Sequence, residues 1–406
     1  MLKTEIKIIN KKPLLYKIKK GNDIIIFNPY LLRKIFTSQK QYKKVLKDRW
    51  NYITEKFIPP KFNRLKKIRV EVSFLCNLRC KYCLVFNNNL DFLNTNMSLE
   101  TAKKIVTFYK KYIKEGSLMI IGGEPLMNWK VTKFFVENIQ GNISLFTNGT
   151  LIDDEKAKLL KKNNVFVLVS LDGPKEFNKM RVFPNNLESF DYALRGIKIL
   201  QKYKCKVGVL GVATNFNVSQ LDEIFKFYIN NLKIKRIGIS FPHYTEINSK
   251  DADVDIKKYT EQLINIFPIA IDKGIYIDQI SKRLRPLVEE RFRLYACKVA
   301  GEQITFYPNG KSTYCTKLDK LPIRTDKEFF KKRIPLYNSN CRNCIAIGIC
   351  GGGCFWDGIA RFGGVDKREC YLNKRLIIFF LRHMCDLYKR NSKIDFLTYY
   401  KRVIFK

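Results

Sequence analysis

The stretch SFLCNLRCKYCL, residues 73–84, sets Cys76, Cys80 and Cys83 on one short segment. Thiolates bind soft metals, and their number decides which chemistry follows. Structural zinc closes a tetrahedron with four ligands. A four-iron, four-sulfur cube that only carries electrons also takes four protein ligands. Three thiolates with no histidine nearby leave one iron of such a cube open, and its fourth ligand is then a substrate or a cofactor. A second group follows: Cys297, Cys315, Cys341, Cys344, Cys350, Cys354 and Cys370, with the run CRNCIAIGICGGGC at its centre. Seven thiols are one short of two four-thiolate zinc sites. Cys205 and Cys385 stand apart and read as small buried hydrophobes. The start, MLKTEIKIINKK, has no signal-peptide core. The clustered cysteines are therefore expected to be reduced metal ligands and not disulfides.

These ligands need a frame. Near-continuous β-rich runs occupy residues 69–74, 118–123, 143–149, 165–173, 206–214 and 235–242. Amphipathic stretches near 98–114, 128–139, 153–163, 187–203, 217–231 and 255–272 separate or follow them. Ser98 and Asp153 or Asp154 supply helix caps. Six strand–helix units predict a parallel sheet with right-handed crossovers. That is two units short of a closed eightfold barrel, so the expected fold is α/β, a partial TIM-like (β/α)6 barrel. Loops after the strands then gather at one rim, where chemistry sits. The three cysteines, GGEP, TNG, SLDGP, TNFN and FPHY all fall on that rim. Residues 1–60 read as a small N-terminal element ending at Pro59 and Pro60, and 61–290 as the core. Residues 291–385 read as a cysteine-rich domain stapled by metal, and 386–406 as a C-terminal tail.

The chain has 406 residues, with 76 Lys plus Arg against 37 Asp plus Glu, a net +39. The lysines are spread along the chain, as solvated helix faces require. The alternative is a basic surface that draws in an acidic peptide, a membrane surface or RNA. No nucleic-acid module supports a specific nucleic-acid partner. The apolar runs VFVLVSL and LIIFFL fall short of the roughly 20 residues that span a bilayer. A soluble cytoplasmic protein is expected.

CNLRCKYC, with Tyr82 before its last cysteine, resembles the signature of the radical S-adenosylmethionine (radical SAM) enzymes, over residues 69 to about 245. GGEP, residues Gly122, Gly123, Glu124 and Pro125, resembles the motif that receives the methionine amino group. SLDG resembles the fourth-strand motif, which implies that Ser170 and Asp172 meet the ribose and carboxylate region. Arg181 stands where relatives place an arginine for the cofactor carboxylate, and Asn148 is a further contact. Without the resemblance, Gly122 and Gly123 make a tight strand end, and Asp172-Gly173-Pro174 a turn. The resemblance implies a [4Fe–4S] cluster on Cys76, Cys80 and Cys83 with S-adenosylmethionine on its open iron. One electron, from a flavodoxin- or ferredoxin-type reductant, then yields methionine and a 5′-deoxyadenosyl radical.

From Cys297 the order C-x12-G-x4-C uses Gly310 and Cys315; C-x2-C-x5-C-x3-C and Cys370 complete it. This resembles the SPASM extension of the same enzymes. The resemblance implies two auxiliary [4Fe–4S] clusters, three clusters in all. Cys341, Cys344, Cys350 and Cys370 would hold one; Cys297, Cys315 and Cys354 would hold the other. Another residue or water completes the three-thiol set, or its open iron meets substrate. A zinc ribbon is the competing reading.

The extension implies oxidative modification of a peptide or protein, such as a thioether or carbon crosslink in a ribosomally made peptide. A formylglycine-type sulfatase maturase or a small-molecule oxidase is the alternative, and a non-catalytic iron–sulfur electron carrier is the reading from another class. Formylglycine makers carry aspartate where Thr316 follows Cys315. His243, beyond the sixth strand, is the candidate proton acceptor; His383 has no assigned role. GNDIIIFNPYLLRKIF resembles the leading segment of peptide maturases. Its β-rich run is expected either to pair with an extended, acidic leader by strand addition or to cap the barrel.

Overall fold

The computed structural model describes residues 4–61, 64–83, 85, 95–113, 116–244, 253–320 and 326–405. It divides into two compact units, each discontinuous in sequence. One comprises Phe62–Gln262 and Lys298–Lys327; the other comprises Met1–Lys61, Leu263–Cys297 and Glu328–Lys406.

The second of these units begins with an antiparallel sheet of four strands in sequential order. They are β1 (Glu5–Lys11), β2 (Leu14–Lys20), β3 (Asp23–Asn28) and β4 (Arg33–Ser38). One face carries Leu15, Ile24, Ile26 and Ile35, which pack with Ile53. Ile53 comes from the short helix α2 (Trp50–Thr54), which follows α1 (Tyr42–Asp48). The run Ile24–Phe27 lies in β3, bonded to β2 on one side and β4 on the other. Its backbone groups are already used, so a leader does not add a strand at residues 24–27; the stretch from Gly21 to Phe36 also includes residues 33–36 of β4. The outer strands of the sheet are β1 and β4.

The other unit holds the expected alternation. Parallel strands β5 (Lys67–Glu71), β6 (Ser117–Ile121), β7 (Asn142–Thr147), β8 (Phe166–Ser170), β9 (Lys206–Val212) and β10 (Arg236–Ser240) pair in sequential order. Helices α3 (Leu99–Tyr112), α4 (Trp129–Asn138), α5 (Asp154–Lys162), α6 (Phe190–Lys202), α7 (Leu221–Lys226) and α8 (Ile256–Lys273) follow them in turn. Branched side chains such as Val70, Ile120, Leu145, Val167 and Val209 are fully buried, as in a sheet covered on both faces. Ser98 accepts from Thr101 N at 3.1 Å and Asp153 from Lys156 N at 2.8 Å, the caps the sequence predicts. α8 leads on to a two-residue strand, β11 (Tyr276–Ile277).

Two further strands were not foreseen. β12 (Gln303–Phe306) pairs in parallel with β5, and β13 (Ser312–Thr313) pairs antiparallel with β12. They are short and lie in turn-rich sequence, so periodicity gave no signal. They bring the segment leading to Cys315 onto the edge of this sheet.

The rest of the unit that carries the four-stranded sheet is helical: α9 (Asp278–Glu289), α10 (Lys327–Arg333), α11 (Ile347–Cys350), α12 (Phe355–Phe362), α13 (Lys367–Arg390) and α14 (Phe396–Ile404). α13 opens on Asp366, which accepts from Arg368 N at 2.9 Å, so Cys370 lies in its first turn. The C-terminal residues are not loose: Tyr400, Val403 and Ile404 are buried, and Tyr400 packs near Phe267. Of the isolated cysteines, Cys385 is buried and Cys205 half-buried. Among the described residues, no helix is long and apolar enough to cross a membrane.

Candidate functional site

In a parallel sheet all strand ends of one polarity share an edge, so the segments after β5 to β9 meet. The cysteine segment leaves β5 and is pinned to the segment after β8. Arg79 N donates to Val182 O at 2.6 Å and Lys81 N to Met180 O at 3.0 Å. Arg181 stands between these anchors. Its Nη2 lies 3.0 Å from Asp172 Oδ1, which also accepts from Val212 N at 2.9 Å. Tyr82 donates its hydroxyl to Asp172 Oδ2. Both oxygens of Asp172 are thus committed inside the protein. Arg181 lies 5.4 Å from the centre of the Tyr82 ring, and its buried Nε has no partner among the described residues. A buried guanidinium N–H left open is a donor waiting for an acceptor. Burial pushes the Tyr82 phenol well above its ordinary range.

The GGEP segment is anchored to the cysteine segment and to the end of β7. Gly123 N donates to Ser73 O at 2.8 Å and Glu124 N to Leu75 O at 2.7 Å. A Cβ on Gly122 would stand 2.1 Å from Ser73 O, and one on Gly123 2.4 Å from Leu75 O. Both glycines therefore let the segment lie against the backbone that runs into Cys76. Gly122 also takes φ +156, which a side chain disfavours. Glu124 is 0% exposed. Its carboxylate accepts from Leu126 N (3.0 Å), Thr147 Oγ1 (2.7 Å) and Asn148 N (2.7 Å). Burial pushes it up to about 7 against the pull of those donors. Pro125 opens the 3-10 turn that follows.

Asn148 donates from Nδ2 to Asn77 Oδ1 at 2.8 Å, while Thr150 N and Oγ1 donate to Asn148 Oδ1. Asn77 in turn donates to Thr150 Oγ1 at 2.8 Å. Asn77 and Thr150 were missed in the sequence. Their only signal was adjacency to Cys76 and to TNG. Ser170 closes β8, half-buried, and its hydroxyl makes no hydrogen bond among the described residues. His243 follows β10 and is exposed, at the strand farthest from β5 among the six. The structure does not bring it among these groups.

The donor set fits a thiolate-bound cluster. Cys76, Cys80 and Cys83 are unbridged. Burial pushes the Cys76 and Cys80 thiols up to about 12, so without metal they hold their protons. Metal would displace those protons. Arg181 Nε offers an anion donor close to Cys80, whose thiol it pulls down against burial.

A second thiol set lies in the other unit. Burial first, and then neighbouring thiols, raise Cys341 to about 11, Cys350 to about 12 and Cys370 above its ordinary value; Cys344 is among the neighbours of all three. Gly352 N and Asn373 Nδ2 both donate to Cys350 Sγ, at 3.4 and 3.5 Å. Asn373 Oδ1 accepts from Arg283 Nε at 2.7 Å, and Arg283 Nη2 meets Glu369 at 2.5 Å. Gly351, at φ +68, packs where a Cβ would strike Ala296 N at 2.3 Å. The N-terminal sheet reaches the same segment: Tyr16 donates to Asn343 O, and Tyr30 to Arg342 O at 2.9 Å. Both acceptors lie inside the Cys341–Cys344 turn. Sequence reasoning missed these tyrosines, since more than 300 residues separate each from its partner. Cys297 and Cys354 belong to this unit, and Cys315 to the other.

The sequence matches the radical SAM superfamily model over residues 70–228. It is 25% identical over 357 residues to the radical SAM cyclopropyl synthase TigE of Paramaledivibacter caminithermalis, covering 77% of this chain and 73% of that protein. It is also 25% identical over 352 residues to a cysteine-type anaerobic sulfatase-maturating enzyme of Clostridium perfringens, covering 77% and 91%. Among solved structures, anSMEcpe with bound AdoMet superposes with TM-score 0.66 at 21% identity, over 83% of this chain and 98% of that one. Streptococcus suis SuiB bound to its precursor peptide SuiA gives 0.55 at 15%, over 84% and 94%. The likeness to both structures extends through the C-terminal cysteine region and establishes the partial-barrel fold with a SPASM-type extension.

Proposed function

We propose, from the premise that this chain is a radical SAM superfamily protein with a SPASM-type C-terminal region, that it is a maturase which oxidatively modifies a peptide or protein. The observation that carries the reading is the junction of three unbridged thiols with Arg181, whose Nε is buried and unpartnered among the described residues. When bound, S-adenosylmethionine and its cluster supply hydrogen-atom abstraction from unactivated carbon, and auxiliary clusters supply a place for the electron an oxidation releases.

The chain's own residues do the placing. Cys76, Cys80 and Cys83 would hold the cluster. Arg181 would receive the cofactor carboxylate at Nε while Asp172 fixes its other end. Tyr82, tied to Asp172, keeps the last turn of the cysteine segment against the end of β8. Glu124 ties the GGEP segment to the end of β7 through Thr147 and Asn148. Gly122, Gly123, Glu124 and Pro125 are proposed as the segment that receives the methionine amine. Cys341, Cys344, Cys350 and Cys370 would hold one auxiliary cluster. Cys297, Cys315 and Cys354 are proposed for the other.

A peptide substrate is supported by the similarity to TigE and to the sulfatase-maturating enzyme, and by the precursor peptide bound to SuiB. Formylglycine formation is the second reading, favoured by the 91% coverage of the Clostridium enzyme. Against it stands Thr316, whose hydroxyl donates to Glu71 Oε1 at 3.3 Å. A flavodoxin- or ferredoxin-type protein is the proposed reductant.

Anaerobic reconstitution followed by S-adenosylmethionine and dithionite should release 5′-deoxyadenosine. Cys80→Ala should abolish that product and leave the auxiliary iron bound. Normal product from Cys80→Ala would overturn the assignment, and an electron carrier would release none at all.

A further inference from the structure

The segment after the N-terminal sheet presents a surface that the maturase chemistry does not use. α1 has no buried residue. Tyr42, Leu46 and Trp50 recur every four positions. The helical ladder runs through them: Val45 N to Gln41 O, Arg49 N to Val45 O and Ile53 N to Arg49 O, at 3.0 to 3.1 Å. The three side chains therefore stand in a row. Tyr42 and Leu46 rest against the core of the sheet, while Trp50 is 42% exposed. Between them opens a hollow of about 490 Å³, completed by Lys43, Lys47 and Asn51.

The charge around this hollow is one-sided. Lys40, Lys43, Lys44 and Lys47 are exposed, and none makes an ion pair among the described residues. Asp48 is the single acid in residues 39–54. Elsewhere exposed lysines find carboxylates, as Lys104 finds Glu100, Lys175 Asp191 and Lys202 Asp154. A large exposed indole beside unpaired cations suits a partner that brings carboxylates and one apolar side chain together. A lipid surface needs a continuous apolar face to insert, and Val45 and Leu46 are packed against the protein's own core. A single-stranded nucleic acid stacks on successive rings, and this row strongly exposes one, Trp50.

We propose that this ledge docks an acidic segment of the peptide substrate. An apolar side chain sits in the Tyr42–Leu46–Trp50 hollow, and carboxylates lie against Lys43 and Lys47. The proposal rests on the peptide-maturase reading for the identity of its partner.

The test is fluorescence anisotropy on the full chain, using a labelled synthetic peptide of Asp and Glu around one Leu-Phe pair. Lys43→Glu with Lys47→Glu should weaken binding about tenfold or more, and Trp50→Ala by about tenfold. Lys43→Gln with Lys47→Gln should fall between, and added salt should weaken the parent chain. Release of 5′-deoxyadenosine without peptide should be unchanged in every variant, which also reports that each is folded. Affinity equal to the parent's in the charge-reversed chain overturns the proposal. So does displacement of the probe by phosphatidylserine vesicles or polyuridylate more readily than by unlabelled peptide. Absence of 5′-deoxyadenosine from the parent would sink the maturase reading and leave the binding result standing.

Discussion

Glu124 shows how a side chain named by a motif is held by the protein's own backbone and side chains. Its two oxygens accept three hydrogen bonds, and water does not reach it. Glu124→Gln puts an amide NH₂ where one of those donors points. A buried donor facing a donor costs about 1–3 kcal/mol. The expected result is a lower urea midpoint with unchanged slope, and reduced 5′-deoxyadenosine release because the ends of β6 and β7 part. Wild-type stability in that variant would show that the bonds are dispensable. The cysteine spacing, by contrast, was legible without any structure, since it is a count along the chain. The Asn77–Asn148–Thr150 network was not, because short polar side chains are common in loops and only their convergence marks them.

At the scale of elements, the N-terminal sheet carries a role that its sequence does not reveal. Tyr16 and Tyr30 donate to the two carbonyls between Cys341 and Cys344. Each such bond contributes about 1 kcal/mol. Tyr16→Phe with Tyr30→Phe should loosen that turn and lower iron and sulfide per chain, while Cys80-dependent product formation persists. Unchanged iron content would make the contacts merely structural. α13 offers a second test. His383 lies among Phe267, Phe379, Tyr399 and Tyr400, and its buried Nε2 has no partner among the described residues. Burial holds its pKa below the usual value, Asp386 opposes that, and Arg390 adds to it. The unfolded chain therefore takes up the proton first as pH falls through about 6.5. The stability from neutral His383 is complete above that pH and is lost as pH falls through the lowered folded value. His383→Phe should flatten this acid limb in pH-dependent urea melts; an identical limb would mean that His383 does not drive it.

For the whole molecule, the net +39 is the dominant electrostatic fact. Few carboxylates are available to offset it, and like charges repel in the compact state more than in the expanded one. At about 0.15 M salt the screening length is near 8 Å. Raising ionic strength from about 0.01 M to that level should therefore raise the melting temperature. A melting temperature that falls over this range would mean that surface ion pairs outweigh self-repulsion. The bias also bears on association, since an acidic peptide approaches such a chain faster at low salt.

Taken alone, the sequence determined the six strand–helix units, the rim that carries their motifs, and the spacing of the cysteines proposed as cluster ligands. Those features depend on local periodicity and on spacing along the chain. Tertiary structure decided that β12 and β13 extend the sheet beyond β5, and that β3 has no free edge. It also turned Glu124 and Asp172 inward and left Arg181 Nε open, and it set two tyrosines of the first thirty residues on a cysteine turn past position 340. Each of these is a pairing between distant segments, and a pairing exists only once the chain has closed on itself.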